Sequence, residues 1–421
     1  MDKTLELLGK WNYWYQKPDV GIVRKKYITD LDNFFSMPEI VVLTGVRRSG
    51  KSTILTQLVD HAHKKYDIPY QNFLYINFED PDFLRPIKSK QISELIEFYK
   101  EQLKPVGKIF VLLDEVQEVD DWQRVLLAYY EQKQNVKFFV TGSSSQLSEN
   151  DPSTLLSGRT VNIRVSPLDF GEFLDFKKAD STSLNLLELL DEYMQYGGFP
   201  RVVLENNHPS KIAILSSYYN TILEKDVILK FDVRKDQELR NLARYLMSNN
   251  GAIASSINLE KALQITSPSI ISFMDYMRSS YLVYINSFFS YSVKKQIYNP
   301  SKVYCVDTGL ANNAGFNFAL NKGLMLESLV NNKLYKTNRE VFYWKNSTEV
   351  DFVTNTRGVI NLYNVTTTVD DDAVFARETN SLDEAKEKLK AKNAHLLTLY
   401  NNTNRKDPRI VNLVDFLLDK S

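Results

Sequence analysis

The residues best suited to chemistry stand together in Gly45-Val46-Arg47-Arg48-Ser49-Gly50-Lys51-Ser52, followed by Thr53. The spacing G-x-x-x-x-G-K-S is that of a phosphate-binding loop. Gly45 and Gly50 let the backbone curl so that successive N–H groups face phosphate oxygens. A helix starting near Lys51 adds the partial positive charge of its N-terminus. Lys51 is then expected to bridge the β- and γ-phosphates of ATP, and Ser52 to offer its hydroxyl to Mg²⁺. The side chains of Arg47 and Arg48 can face base, ribose or a neighbouring protomer, and the sequence does not choose.

Hydrolysis needs more than a cradle: an acid on the metal and a group that aligns water. The run Ile109-Phe110-Val111-Leu112-Leu113 ends in Asp114 and Glu115. Ligands gather at such strand ends in open α/β sheets. Asp114 is expected to hold Mg²⁺ and Glu115 to polarise the attacking water. A further apolar run ends in Thr141-Gly142-Ser143-Ser144-Ser145, where Thr141 and Ser143 are candidate γ-phosphate sensors. Arg159 could stabilise the transferring phosphoryl group as an arginine finger, in cis or in trans.

These groups need a scaffold, and the first half of the chain alternates "EIVVLTG", "NFLYINFED", "KIFVLLDE", "VKFFVTGSSS" and "RTVNIRVSPL" with helical patterns. Continuous apolar strands separated by helices predict a parallel sheet covered on both faces. "LDFGEFL" and "LNLLELLDEYMQYGGFP" read as a helical tail to this domain. From about residue 210 to 290 the pattern is mainly helical, with "YLVYINSFFSYS" as a hairpin, which predicts a winged-helix arrangement. Arg278 is the one basic residue of its second helix, with Lys261, Lys294 and Lys295 nearby in sequence. The last third mixes strands and helices.

Composition narrows the classes. The chain has 421 residues, with 52 Lys plus Arg balancing 52 Asp plus Glu, so bulk charge does not drive it onto nucleic acid. A single cysteine, Cys305, excludes an internal disulfide framework and suits a reducing cytoplasm. The four histidines are scattered, with no metal-ligand spacing. The N-terminal "MDKTLELLGKWNYWYQKP" lacks the apolar core of a secretory leader, and no run reaches the roughly 20 apolar residues of a membrane helix.

Taken together, "LTGVRRSGKSTIL", "LLDEVQEVDDW", "FVTGSSSQLSE", "LSGRTVNIRVSPLDFGEFL", "YGGFPRVVL", "LEKDVI", "KVYCVDTGLA" and "YWKNSTEVDFV" resemble the archaeal and bacterial AAA-type P-loop ATPases that carry an uncharacterised C-terminal domain. The resemblance covers nearly the whole chain. It implies an AAA+-like α/β core over 1–205, a helical, winged-helix segment over 206–295, and an α/β domain related to restriction endonucleases over 296–421. A nuclease of that fold needs an acid on a helix, an acid on a strand, then acid-x-Lys on the next. Glu327 and Asp351 fit the first two, but the third strand presents Asn364 and Thr366, so a working nuclease would have to recruit Lys345 or another residue. The expected function is therefore Mg²⁺-dependent ATP hydrolysis that repositions the later modules, with action on DNA left open. The alternatives are an ATP-dependent switch for a protein partner and an ATP-dependent DNA nuclease. The same expectation is of a cytoplasmic protein with no membrane contact, with an oligomer left open.

Overall fold

Five apolar runs in the first 165 residues pair into one parallel sheet, as their continuous hydrophobicity requires. The computed structural model describes residues 3–83, 85–143, 155–180, 182, 184–315, 321–338 and 340–420; Ser144 and Ser145 lie outside them. The chain divides into two compact units, Met1–Val165 and Ser166–Ser421.

In the first unit the strands are β1 (Ile40–Thr44), β2 (Phe73–Asn77), β3 (Ile87–Lys88), β4 (Ile109–Asp114), β5 (Val119–Asp120), β6 (Val136–Gly142) and β7 (Thr160–Arg164). The main sheet has the order β2-β4-β6-β1-β7, and β3 pairs with β5 in a separate ribbon. β6 thus stands between the strand leading into the phosphate loop and the strand carrying the acids. Register brings Thr44 level with Gly142 and Arg164, and Asn77 level with Asp114. Alternate residues serve opposite faces. Val42, Leu74, Ile76, Val111, Leu113 and Val140 pack into one core. Val41, Leu43, Phe110, Leu112 and Phe139 pack into the other, against Ile54, Leu55, Leu58 and Val59 of the helix Lys51–Tyr66.

The helices Phe170–Lys177, Leu186–Tyr196 and Pro200–Leu204 belong to the second unit, whereas the sequence reading made them the tail of the first domain. Their anchors explain it. Lys336, on the helix Lys322–Thr337, pairs with Asp169 at 2.8 Å and Glu172 at 3.1 Å. Asp307 accepts the Gly198 N–H at 2.7 Å. A Cβ on Gly197, at φ 73°, would fall 2.0 Å from the Asp307 carboxylate, so the "YGGFP" and "VDTGL" stretches close on each other and only glycine fits there.

Further along are β8 (Ile253–Ala254), β9 (Val283–Asn286) and β10 (Ser301–Cys305), a three-stranded sheet of order β8-β10-β9. Both pairings are antiparallel. The partner of β9 is therefore β10, beyond the stretch expected to form a hairpin by itself, and a boundary at 295–296 falls inside this sheet. The helices Ser256–Leu263 and Ser267–Ser279 precede β9. Last come β11 (Phe342–Lys345), β12 (Glu349–Thr356), β13 (Val359–Thr368), β14 (Asn393–Tyr400) and β15 (Ile410–Asn412), in sequential order. β11 to β13 pair antiparallel, and β13 to β15 pair parallel. Val350, Val353, Leu362 and Leu396 pack with Leu382 and Ala385 of the helix Asp372–Leu389. Among the described residues no helix is long and apolar enough to cross a membrane.

Candidate functional site

The loop after β1 has the backbone that a phosphate cradle needs. Gly45 has φ 144°, Arg48 φ 70° and Gly50 φ 100°. A Cβ on Gly45 would meet the Val165 carbonyl oxygen at 2.0 Å, so the turn admits no side chain. The helix starts at Lys51, whose buried ammonium donates to the carbonyls of Gly45 at 3.1 Å and Val46 at 3.3 Å. It also lies 3.9 Å from Glu115. The Ser49 hydroxyl is buried with no hydrogen-bond partner, a costly arrangement unless a ligand oxygen completes it. Arg47 is buried and pairs with Glu79 at 2.6 Å, while Arg48 is exposed. Ser52 lies in the first helical turn, and Thr53 beside it is exposed. Positive-φ glycines, a helix N-terminus and a buried cation on neutral carbonyls form a donor set that fits a nucleotide's phosphates.

Across β6, Asp114 ends β4 with both oxygens engaged: the Tyr75 hydroxyl donates to Oδ2 at 2.7 Å, and the Thr141 hydroxyl donates to Oδ1. Thr141 in turn accepts the Glu115 N–H at 3.0 Å. Glu115, at φ 53°, receives the side-chain amide of Gln117 on its carboxylate. Burial pushes the Glu115 carboxyl up from its ordinary value, Asp114 adds to the push, and Lys51 and Arg47 oppose it. That places a carboxylate of raised basicity near the loop, as a water-polarising group requires. Ser143 is buried just past β6.

The cis role expected of Arg159 is a correction; the role in trans is not touched by it. Arg159 immediately precedes β7, and its carbonyl accepts the Ile40 N–H at the start of β1. It therefore stands at the sheet edge opposite the loop, about 17 Å of strand away, with its guanidinium on Glu131 at 3.0 Å. A contribution in cis is ruled out by that position. The arginine at the loop's edge of β7 is Arg164, level with Thr44.

In the second unit Glu327, Asp351 and Asn364 do come together, but around a lysine that the sequence reading missed. Lys302 of β10 is 4% exposed. Its ammonium lies 2.7 Å from Glu349, 3.5 Å from Asp351 and 3.9 Å from Glu327. Burial opposes its charge, yet Tyr304, Asp351, Glu327 and Glu349 outweigh burial and raise its pKa well above the ordinary value. Burial, helped by Asp351, pushes Glu327 up to about 8. Asp351 also accepts the Val365 N–H at 2.9 Å. Asn364 has its amide committed: it accepts the Asp351 N–H at 3.2 Å and donates to Glu378 at 2.7 Å and Ser381 at 2.6 Å. Thr366 donates to the Thr368 carbonyl at 3.1 Å. Lys345, the lysine considered for recruitment, only pairs with Glu349 at 2.9 Å on the exposed side. Among the described residues no three Asp, Glu, His or Cys side chains are arranged to hold a metal ion.

Comparison with known families matches residues 37–174 to an AAA domain and residues 187–321 to a domain of unknown function, DUF8612. An uncharacterised protein of Haemophilus influenzae is 31% identical over 338 residues, 79% of this chain and 83% of that one. One from Methanocaldococcus jannaschii is 34% identical over 332 residues, 75% and 72% of the two chains. The chain belongs to their family of AAA-domain proteins. A Walker-type ATPase of Pyrococcus abyssi superposes on this AAA-domain protein with a TM-score of 0.47 at 14% identity, over 70% of this chain and 96% of that one. The likeness is too loose to transfer any residue role.

Two groups of this AAA-domain protein escaped the sequence reading altogether. Tyr75 sits inside an ordinary strand run, and its only sequence signal is a phenol at a buried position. Lys302 opens "KVYC", 25 residues before Glu327, with no motif spacing to tie the two.

Proposed function

We propose that this AAA-domain protein binds ATP with Mg²⁺ and hydrolyses it at the C-terminal edge of the first unit's sheet. The observation that carries this reading is the convergence of Lys51, Asp114 and Glu115, from two strands held apart by β6. Gly45 to Thr53 would hold the phosphates, and Ser52 and Asp114 would hold Mg²⁺. The bound Mg–nucleotide supplies the phosphoryl group and the charge that draws electrons from it. Lys51 is poised to exchange carbonyl partners for phosphate oxygens. Glu115 orients and deprotonates water, with Gln117 fixing its carboxylate. Thr141, bonded to Asp114 and to the Glu115 N–H, and Ser143 just past it remain the γ-phosphate sensor candidates. The test is phosphate release with Glu115→Gln: turnover should fall by roughly 10²-fold or more while ATP affinity is kept. Equal turnover in the two proteins contradicts the reading.

What the hydrolysis drives is better read as a protein contact than as DNA cleavage. We read the helices Ser256–Leu263 and Ser267–Ser279 with β8 to β10 as a winged-helix module, and β11 to β15 as a nuclease-like frame that no longer cuts. Arg278, the basic residue of the second helix, is tied to Asp275 at 3.1 Å. Ile257, Ile271, Val293, Ile297 and Tyr298 are exposed apolar side chains of the same module, which suits a protein partner better than phosphates. Lys302 pairs with the acids that a nuclease needs for metal, and the Asn364 amide is already held by Asp351, Glu378 and Ser381. Plasmid left intact in Mg²⁺ or Mn²⁺ with ATP is the expected result; cutting that Asp351→Ala abolishes would restore the nuclease reading.

A further inference from the structure

Tyr75 lies in β2, the edge strand of the nucleotide-binding sheet. Its hydroxyl donates to Asp114 Oδ2 at 2.7 Å. It therefore holds the acid read above as a Mg²⁺ ligand. The two strands flanking β4 act alike: β2 sends a hydroxyl to one Asp114 oxygen and β6 sends Thr141 to the other.

Something must hold this tyrosine, because the outer side of an edge strand has no strand partner. The aromatic stretch near the N-terminus does so. Asn12, 2% exposed, accepts the Tyr75 N–H at 2.7 Å and donates to the Tyr75 carbonyl at 2.8 Å, standing in for one residue of a neighbouring strand. Trp14 donates to the Phe73 carbonyl at 3.2 Å, and the Trp11 ring stacks on Tyr75 with centroids 6.4 Å apart. Trp11 is pinned in turn to Asp80 at 2.8 Å.

We propose that Tyr75 is a positioning residue of the metal–nucleotide site, fixing the Asp114 carboxylate, and that Asn12 fixes Tyr75. The N-terminal strap thereby sets how tightly the site takes Mg²⁺. The proposal rests on the reading of Asp114 as a metal ligand. Supporting partners of metal ligands typically control affinity by about 10-fold or more.

The test titrates Mg²⁺ into full-length protein with a fluorescent N-methylanthraniloyl ATP and reads equilibrium binding, beginning in EDTA. Tyr75→Phe should bind the nucleotide in EDTA within about twofold of wild type and need roughly 10-fold more Mg²⁺ for the metal-dependent gain. Asn12→Ala, which leaves the phenol in place, should shift the Mg²⁺ midpoint in the same direction by less. Thermal unfolding of each variant identifies those that are folded. Wild-type protein that binds no nucleotide, or binds it without regard to Mg²⁺, overturns the underlying reading. A clear wild-type Mg²⁺ dependence left unchanged in folded Tyr75→Phe and Asn12→Ala overturns the proposal alone.

Discussion

Lys51 and Lys302 are both buried beside acidic side chains, and their partners separate the two halves of the protein. Lys51 donates to two neutral carbonyls and keeps 3.9 Å from Glu115. Lys302 sits among three acidic side chains, one at 2.7 Å. A carbonyl is an acceptor that an ammonium can leave for a phosphate oxygen, because the charge-assisted bond to an anion is stronger. A buried ammonium surrounded by carboxylates has no better partner to move to, and removing it strands their charge. The first arrangement is primed for a ligand; the second is closed. The same contrast holds for the neutral groups nearby, since the Ser49 hydroxyl is orphaned while the Asn364 amide bonds on both its oxygen and its nitrogen.

The contrast can be broken at either lysine. The largest effect is expected from Lys51→Ala, which should lower ATP turnover by roughly 10²–10³-fold, read as phosphate release, while thermal unfolding without nucleotide stays near wild type. Lys302→Met should do the reverse. Breaking a buried ion cluster by removing one partner costs about 3–5 kcal/mol, so unfolding in urea should come much earlier, and adding Glu349→Gln should recover part of the loss. An unaltered urea midpoint would show that Lys302 does not hold the cluster.

A smaller effect follows from proton binding. Unfolded Glu327 loses its proton near the ordinary carboxylate value, whereas in the fold burial holds it to about 8. Between those limits the folded state binds more protons, so this group's contribution to stability falls as pH rises from 5 to 8. Unfolding free energies across that range should therefore fall more steeply in wild type than in Glu327→Gln. The smallest effect belongs to Lys345→Ala. Its pair with Glu349 is half exposed, and unfolding should shift by at most about 1 kcal/mol.

The sheet edge that carries Lys51, Asp114 and Glu115 was legible because its parts are local. A buried parallel strand writes itself as an unbroken apolar run, and the chemistry sits where the run stops, at Gly45, Asp114 and Thr141. The insertion of β6 between β1 and β4 agrees with the order of those stops. Long-range pairing left no such mark. "LDFGEFL" and "YGGFP" have helical spacing that says nothing about which unit they pack into; Lys336 and Asp307 decide that from far along the chain. β10 reads as the start of the last domain until its pairing with β8 and β9 is seen. Lys302 is invisible for the same reason, since a strand lysine normally faces solvent and only tertiary structure turns this one into a ring of acids. The cis reading of Arg159 misled because its distance in sequence from the acids conceals that β7 begins at the far edge of the sheet.

The central claim is that the first unit's acids are open to chemistry and the second unit's acids are closed. Phosphate release from Mg–ATP at 25 °C, measured side by side for wild type, Glu115→Gln and Asp351→Asn, tests it most directly. The account predicts turnover in wild type, its loss by roughly 10²-fold or more in Glu115→Gln, and a rate within about twofold of wild type in folded Asp351→Asn. Turnover that survives Glu115→Gln and disappears with Asp351→Asn would contradict it.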